Sequence, residues 1–393
     1  MRKSLFISAF LLLFPLIAGA QEASIPRLSD SAFASLITCG PGDEFYTSFG
    51  HSAIRINDSA NNIDVVYNYG TFDFDTPHFY WKFARGRLNY CLSRSSFDNF
   101  MFEYSMEGRA VWEQRLRLTS QELNNLFIAL ETNYLPQYRY YLYDLFRDNC
   151  ATRVRDMVFN SLCHRSVSPE TTTDTNLSYR NILYRSTAHC LLWWRLGIDM
   201  ALGLRCDKHC SNYEYMFSPI EMMHQFDTLT VSDTRQPLAD PASTLLAETR
   251  SPLPRSVSPV LLFYVLLLAV LCLTILEWRN SWNLRWFDRC LFIIDFILSL
   301  VAIFLWFFTV HYCTKINLNI LWLSPLFIYF AIRLRRSNRW VVIVQLVMLF
   351  ASMVMTLGAL PQQLNAAVLP LALILAVRLI SNLRPDNSST PSK

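Results

Sequence analysis

The stretch Phe49-Gly50-His51-Ser52-Ala53-Ile54-Arg55-Ile56 alternates as a strand does, breaks at Asn57-Asp58-Ser59-Ala60-Asn61-Asn62, and resumes as Ile63-Asp64-Val65-Val66-Tyr67-Asn68-Tyr69. This pattern predicts an antiparallel hairpin. With the loop at 57–62 and Ile56 opposite Ile63, Arg55 falls opposite Asp64 as a favourable cross-strand pair, and His51 falls opposite Asn68. His51, Ala53 and Arg55 then share a face with Asp64, Val66 and Asn68, so the Asn68 amide can reach the imidazole and fix its tautomer. A slip of one residue would undo that arrangement, because successive side chains point to opposite faces.

A second element runs from Tyr143 through Asp148-Asn149-Cys150-Ala151-Thr152-Arg153 to Val158. Asp148 or Asn149 offers a helix N-cap, and Val154, Met157, Val158 and Leu162 recur at helical spacing as a buried stripe. Cys150 therefore opens a helix. The positive end of the helix dipole and a nearby imidazolium would both lower the pKa of such a thiol, and the first-turn N–H groups can serve as an oxyanion hole. Taken singly, a histidine on a strand is more often structural and a cysteine at a helix start is usually a small core residue. Together, a base, an orienting amide and a thiol at a helix N-terminus reproduce the nucleophile, base and orienter logic of covalent catalysis.

The chain has 393 residues, 52% of them hydrophobic, which leaves room for one soluble domain and several membrane spans. Its net charge of +4 is small and falls largely beside apolar runs, which argues for membrane topology and against nucleic acid. No Gly-rich phosphate loop is present. Met1-Arg2-Lys3, the apolar run from Leu5 to Ile17 and Ala18-Gly19-Ala20 make a secretory signal peptide over residues 1–20, with an uncleaved anchor as the alternative. Position 21 is Gln, so the chain is not itself a lipoprotein. Residues 21–228 read as one exported α+β domain, and 229–259, with Pro237, Pro241, Pro252, Pro254 and Pro259, as a linker.

Five apolar segments follow, near 260–277, 290–310, 317–332, 340–360 and 364–380, within a membrane domain of residues 260–381 and ahead of a tail at 382–393. With the soluble domain outside, Arg279, Arg285, Arg289, Arg333, Arg335, Arg336, Arg339, Arg378 and Arg384 all fall inside. The two outer loops, near 311–316 and 361–363, hold only Lys315, as the positive-inside rule requires. Asp295 lies within the second span, where a carboxylate is either functional or hydrogen-bonded to a neighbouring helix. The aromatic stretch Phe72, Phe74, Phe79, Tyr80, Trp81 and Phe83 reads as core or as a membrane-facing belt before it reads as an acyl groove.

The exported part carries Cys39, Cys91, Cys150, Cys163, Cys190, Cys206 and Cys210, an odd set in a compartment that permits disulfides, so at least one thiol stays free or pairs elsewhere. The cluster Cys206-Asp207-Lys208-His209-Cys210 lacks a second ligand pair at matched spacing, so no metal is expected.

The order His, Asn, Cys reverses that of papain and resembles the circularly permuted papain-like families related to NlpC/P60 peptidases and lecithin–retinol acyltransferase, with Asn149-Cys150 and Gly50-His51 fitting their motifs. More closely, Thr47 to Arg55, Tyr67 to Phe74, Asp148 to Arg153 and the five following spans resemble the Lnb-type lipoprotein N-acyltransferases over nearly the whole mature chain. The resemblance implies a periplasmic permuted papain-like domain on a five-helix transmembrane domain in the cell inner membrane, with the C-terminus cytoplasmic. It implies transfer of an acyl chain from a membrane phospholipid, through a Cys150 thioester, to the α-amino group of the lipidated N-terminal cysteine of a diacylated lipoprotein. His51 is carried over as base and Cys150 as nucleophile, whereas Asn68 rests on the hairpin register. Such chemistry needs no cofactor, because the donor ester is already activated. A membrane-anchored NlpC/P60-like peptidase or amidase acting on peptidoglycan peptides is the alternative enzyme, and a binding module with a packed Cys150 the non-enzymatic one.

Overall fold

The structure is a computed structural model that describes residues 25–169, 177–186, 192–251, 256–280, 282–358 and 361–384. The expected signal peptide, Cys190, Pro252 and Pro254 lie outside the described residues.

Seven strands form one antiparallel sheet: β1 (Phe33–Cys39), β2 (His51–Asp58), β3 (Ile63–Thr71), β4 (Asn89–Ser96), β5 (Val111–Arg115), β6 (Tyr140–Leu142) and β9 (Ser243–Leu246), in the order β6-β4-β3-β2-β1-β5-β9. A separate ribbon pairs β7 (Val167–Pro169) with β8 (Leu229–Val231). Helices α1 (Phe79–Ala84), α2 (Phe97–Met106), α3 (Ser120–Tyr134) and α4 (Cys150–Ser161) accompany the sheet. One face, with Leu36, Ile54, Ile56 and Tyr67, packs under α3 and α4; the other, with Ile37, Ala53 and Val66, packs under α2. This two-faced burial follows from the strict alternation of β2 and β3. A capping box at Thr119 and Glu122 starts α3, and one at Asn149 and Thr152 starts α4.

The predicted hairpin forms, but its register is two residues from the expected one. Ala53 pairs with Asn68 and Asp58 with Ile63, so Arg55 lies opposite Val66 and the turn is shorter, closed by Asn62 in the left-handed region. A two-residue shift preserves which face each side chain occupies. Arg55 therefore still reaches Asp64 diagonally, with Nε and Nη2 donating to the two carboxylate oxygens at 2.8 and 2.7 Å.

The segment expected as a linker needs correction at its start. β8 and β9 lie within it, and β9 pairs with β5 at the sheet edge, so the folded domain continues to Leu246. The neighbouring prolines hide these strands in the sequence, and an edge position is where a strand tolerates proline close by.

Helices α5 (Tyr179–Ser186), α6 (Leu192–Ala201), α7 (Asn212–Tyr215) and α8 (Pro219–Phe226) lie between the sheet and the membrane part. Cys206 and Cys210 are core here, buried with Phe146, Ile182, Leu183 and Cys313, while Asp207 pairs with Arg180 at 2.7 Å. A polar knot centred on Asp199 joins the two parts: its carboxylate accepts from Arg180 at 2.8 Å, Tyr184 at 2.7 Å and Asn365 at 2.7 Å.

The C-terminal region contains α9 (Pro259–Asn280), α10 (Arg285–Phe307), α11 (Phe327–Ile332), α12 (Arg339–Thr356) and α13 (Val368–Ser381). Among the described residues, α9, α10 and α12 are long and apolar enough to cross a membrane. The fourteen-residue α13 spans about 21 Å at 1.5 Å per residue, short of a ~30 Å hydrocarbon core. The third apolar segment is not one helix: a 3-10 turn, Leu318–Leu321, precedes the short α11. Pro325 lacks an N–H and restricts Ser324, which breaks the helix. Protein groups replace the lost bonds: Asp295 Oδ1 accepts from the Ser324 N–H at 3.0 Å, and Asn319 donates to Asp199 O at 2.9 Å. Asp295 thus holds a neighbouring segment by hydrogen bonding.

The loops assigned outside both meet the sheet-bearing part. Val310 N donates to Arg85 O at 3.0 Å, Gly203 N to Cys313 O at 2.7 Å, and Gln362 Nε2 to Leu202 O at 3.0 Å. The exposed ring of Trp81 on α1 packs against Phe304 of α10 at 5.5 Å, which makes this end of the aromatic stretch part of the membrane junction.

Arg378 lies within α13. Fully buried, it donates to Asp288 at 2.5 and 2.9 Å, to Thr274 at 2.7 Å, and pairs with Glu277 at 3.0 Å, tying α13 to α9 and α10. Arg378→Met leaves Asp288 buried without its cation, while Glu277 keeps Arg335 at 3.0 Å, and is expected to cost about 3–5 kcal/mol. In detergent, its thermal midpoint should fall by roughly 10 °C; an unchanged midpoint would mean that the pair carries no net stability.

Candidate active site

Cys150 is the first residue of α4, with Asn149 as N-cap: Thr152 N donates to Asn149 Oδ1 at 2.9 Å, and Asn149 N donates to Thr152 Oγ1 at 2.8 Å. The Asn149 amide also donates to Leu145 O at 2.7 Å and Phe217 O at 2.8 Å, which anchors the helix start to the preceding loop and the segment before α8. The Cys150 side chain is 7% exposed. The backbone N–H groups of Ser52, Ala151 and Cys150 itself are directed at its sulfur. Two of these belong to the first turn of α4, and the third follows His51 in β2.

His51 starts β2 and pairs directly with Cys39 of β1. Its Nε2 lies 3.3 Å from Asn68 Oδ1, the contact that the sequence suggested despite its displaced register. An amide oxygen only accepts, so this bond places the hydrogen on Nε2 and leaves the Nδ1 lone pair free to take a proton. By alternation His51 lies on the α2 face with Ala53, whereas α4 packs on the opposite face. The link between them is the Ser52 N–H, which follows His51 where the β2–β3 ladder ends and is directed at the sulfur.

Two glycines shape this corner. Gly50 has φ +80°, and a Cβ there would sit 2.7 Å from Cys39 O, so only glycine fits directly before His51. Gly70 has φ +95° at a break in the β3–β4 register, and its Cα side faces the Cβ of Cys150. Such bulges re-aim a strand beside a site.

The electrostatics run against the expected low thiol pKa. Burial pushes the Cys150 thiol above its ordinary value, and the three N–H groups and the Arg109 guanidinium offset this only in part. A helix terminus contributes about 0.3–1 kcal/mol, whereas full burial can shift a group by 3–5 pKa units at roughly 1.4 kcal/mol each, so desolvation prevails. Burial, and then the Arg109 charge, lower His51 to about 4, with Asn68 opposing. At neutral pH the pair is therefore a thiol and a neutral imidazole, not a thiolate and an imidazolium. Burial likewise raises Cys39, across from His51, to about 12.

Arg109 was not singled out in the sequence. It is 4% exposed, donates from Nε to Gly40 O at 2.9 Å and from Nη1 to Glu107 at 2.8 Å, and leaves Nη2 without a hydrogen-bond partner among the described residues. Its charge bears on Cys39, His51 and Cys150 together. Nothing local marks it, because the fold alone brings it to this corner. Among the described residues no group of His, Cys, Asp and Glu is arranged to hold a metal ion.

The sequence matches the Lnb N-terminal periplasmic domain over residues 27–185 and the Lnb transmembrane domain over residues 251–388. The chain belongs to the Lnb family. No curated protein and no solved structure matches it. As an Lnb-family protein it is a membrane protein with a periplasmic N-terminal domain and a transmembrane C-terminal domain. The matched periplasmic domain contains His51, Asn68, Arg109 and Cys150, and so the whole corner described above. The Lnb transmembrane match begins beyond β9, in keeping with a sheet domain that extends to Leu246.

Proposed function

We propose that this Lnb-family protein is a lipoprotein N-acyltransferase of the inner membrane, with Cys150 as nucleophile, His51 as base and Asn68 as its orienting residue. The reading is supported by a buried thiol at a helix N-terminus that receives the N–H following a strand histidine, whose Nε2–H is in turn held by an amide, in a domain joined directly to membrane helices. The inner-membrane location and the cytoplasmic C-terminus rest on the arginine distribution and on the outer loops meeting the sheet domain.

In the first half-reaction His51 Nδ1 takes the proton of the Cys150 thiol as sulfur attacks the ester carbonyl carbon of a phospholipid. The tetrahedral oxyanion forms beside the N–H groups of Ser52, Ala151 and Cys150. Its collapse breaks the ester C–O bond, and the imidazolium returns the proton to the leaving alkoxide, giving a lysophospholipid. In the second half the α-amino group of a diacylated lipoprotein attacks the thioester, His51 takes the amine proton, the C–S bond breaks and the proton returns to sulfur. The neutral thiol and imidazole at rest make this general-base catalysis rather than attack by a preformed ion pair. Membrane anchoring supplies proximity, because donor and acceptor share the bilayer.

Mass spectrometry of the N-terminal lipopeptide of an abundant lipoprotein tests the reading. Depletion of the protein should convert triacylated lipopeptide to the diacylated form, and re-expression should restore the third chain. Lipopeptides that stay triacylated after depletion, in cells without a second N-acyltransferase, would contradict it.

A further inference from the structure

A cleft of about 710 Å³ opens beside the α4 N-terminus, at the junction of the sheet domain and the loop that follows α10. Arg147 from the loop before α4, Arg205 from the 3-10 turn Leu204–Asp207, and Tyr312 from the membrane loop converge there. The two guanidiniums stack on one ring, with their carbons 4.5 and 4.7 Å from the Tyr312 centroid. Asp144 Oδ2 holds that residue by accepting its backbone N–H at 3.3 Å.

The other charges of the cleft are already engaged. Arg153 pairs with Asp148 at 2.6 Å, Asp156 with Arg155 at 2.7 Å, and Lys315 Nζ donates to Trp306 O and Thr309 O, each at 2.6 Å. Asp144 Oδ1 accepts the backbone N–H groups of Phe146 and Arg147, both at 3.1 Å. Among the described residues neither Arg147 nor Arg205 has a carboxylate partner, in a cleft lined by four cations and three carboxylates. Burial, and then the Arg205 charge, push the Lys315 ammonium below its ordinary pKa. Two like charges gathered on one ring beside an open cleft are relieved by an anion, and planar guanidiniums suit a phosphate oxygen pair.

The position identifies that anion. Tyr312 belongs to the loop between α10 and the third apolar segment, and Trp81 of the sheet domain touches α10 next to it, so the cleft lies at the level of the outer headgroup layer. Tyr69 and Asp148 also line the cleft, and they are neighbours in sequence of Gly70 and, two residues on, Cys150. We propose that Arg147 and Arg205, stacked on Tyr312, bind the phosphodiester of the donor phospholipid and so present its ester to Cys150. This inference rests on the acyltransferase reading and adds the donor-binding residues to it.

The test uses the full chain in mixed micelles with phosphatidylethanolamine as donor and follows acyl adduct formation on Cys150. The double variant Arg147→Ala/Arg205→Ala should raise KM for the lipid roughly tenfold or more, the loss expected for charge-assisted contacts, with kcat largely kept. On the wild-type protein, which removes any question of folding, glycerophosphoethanolamine should compete with the lipid, and inorganic phosphate at the same concentration should compete far less. An unchanged KM together with no competition by the deacylated headgroup would overturn the inference while leaving the acyl adduct, and so the acyltransferase reading, intact. Equal competition by inorganic phosphate would overturn the assignment to a lipid headgroup. A wild-type protein that forms no acyl adduct would overturn the acyltransferase reading itself.

Discussion

Cys150→Ala should abolish acyl transfer, with a rate lower by on the order of 10⁴ to 10⁶, the scale on which removing a covalent nucleophile acts. The fold should survive. The substitution removes one sulfur from a side chain at the first position of α4, while the cap bonds of Asn149 and Thr152 remain, so the stability cost is about 1 kcal/mol. Purified variant and wild type should therefore unfold at nearly the same temperature, and only the wild type should release lysophospholipid. Substantial activity in a folded Cys150→Ala protein would remove the thiol from the reaction. Chemical labelling adds a second readout. Because burial raises the thiol pKa, alkylation of Cys150 should be slow at mildly acidic pH and should rise steadily into the alkaline range. A plateau reached below neutral pH would show the preformed thiolate that the local sequence suggests.

His51→Gln should slow the reaction by about 10² to 10⁴, the usual contribution of a positioned general base. The pH profile is the more telling observation. The base works as neutral imidazole, and the folded His51 is lowered from 6.5 to about 4, so kcat/KM should stay flat as pH falls through 6 and decline only near 4. Arg109 contributes to that depression, so Arg109→Met should move the acid limb upward toward 6.5, because losing a nearby positive charge favours the imidazolium. Asn68→Ala should cost about tenfold by freeing the tautomer and ring orientation, with Asn68→Asp retaining an acceptor for Nε2–H and more of the rate. An acid limb near 6.5 in the wild-type protein would contradict the buried, neutral resting state.

Much of the site can be read in the sequence, for physical reasons that particular residues make plain. The alternation in β2 and β3 specifies which residues share a face, and that information survives a two-residue error in register, so the Arg55–Asp64 and His51–Asn68 contacts were recoverable while the pairing partners were not. The cap at Asn149 and the apolar stripe after it locate the helix start within one residue, because capping is local chemistry. The thiol pKa had the wrong direction, since dipole and neighbour effects can be read locally and burial cannot. Arg109, the Ser52 N–H and the Gly70 bulge reach Cys150 only through tertiary packing. In the membrane part, run length does not distinguish a continuous helix from one interrupted at Ser324-Pro325. The buried Asn317 and Asn319 were the available signal, since unpaired amides in a lipid-facing helix are costly. The expected donor and acceptor rest on family resemblance alone, because a thiol and a histidine serve hydrolysis and transfer alike.

The central claim is that Cys150 carries an acyl chain between a phospholipid and an amine. Intact-protein mass spectrometry of the full chain in phospholipid micelles tests it most directly, followed by addition of a diacylated lipopeptide with a free α-amino group. The account predicts a single fatty-acyl mass increment that maps to Cys150 and disappears as triacylated lipopeptide forms. An adduct that never appears, that maps to another residue, or that the amine leaves untouched while water removes it would contradict acyl transfer through this thiol.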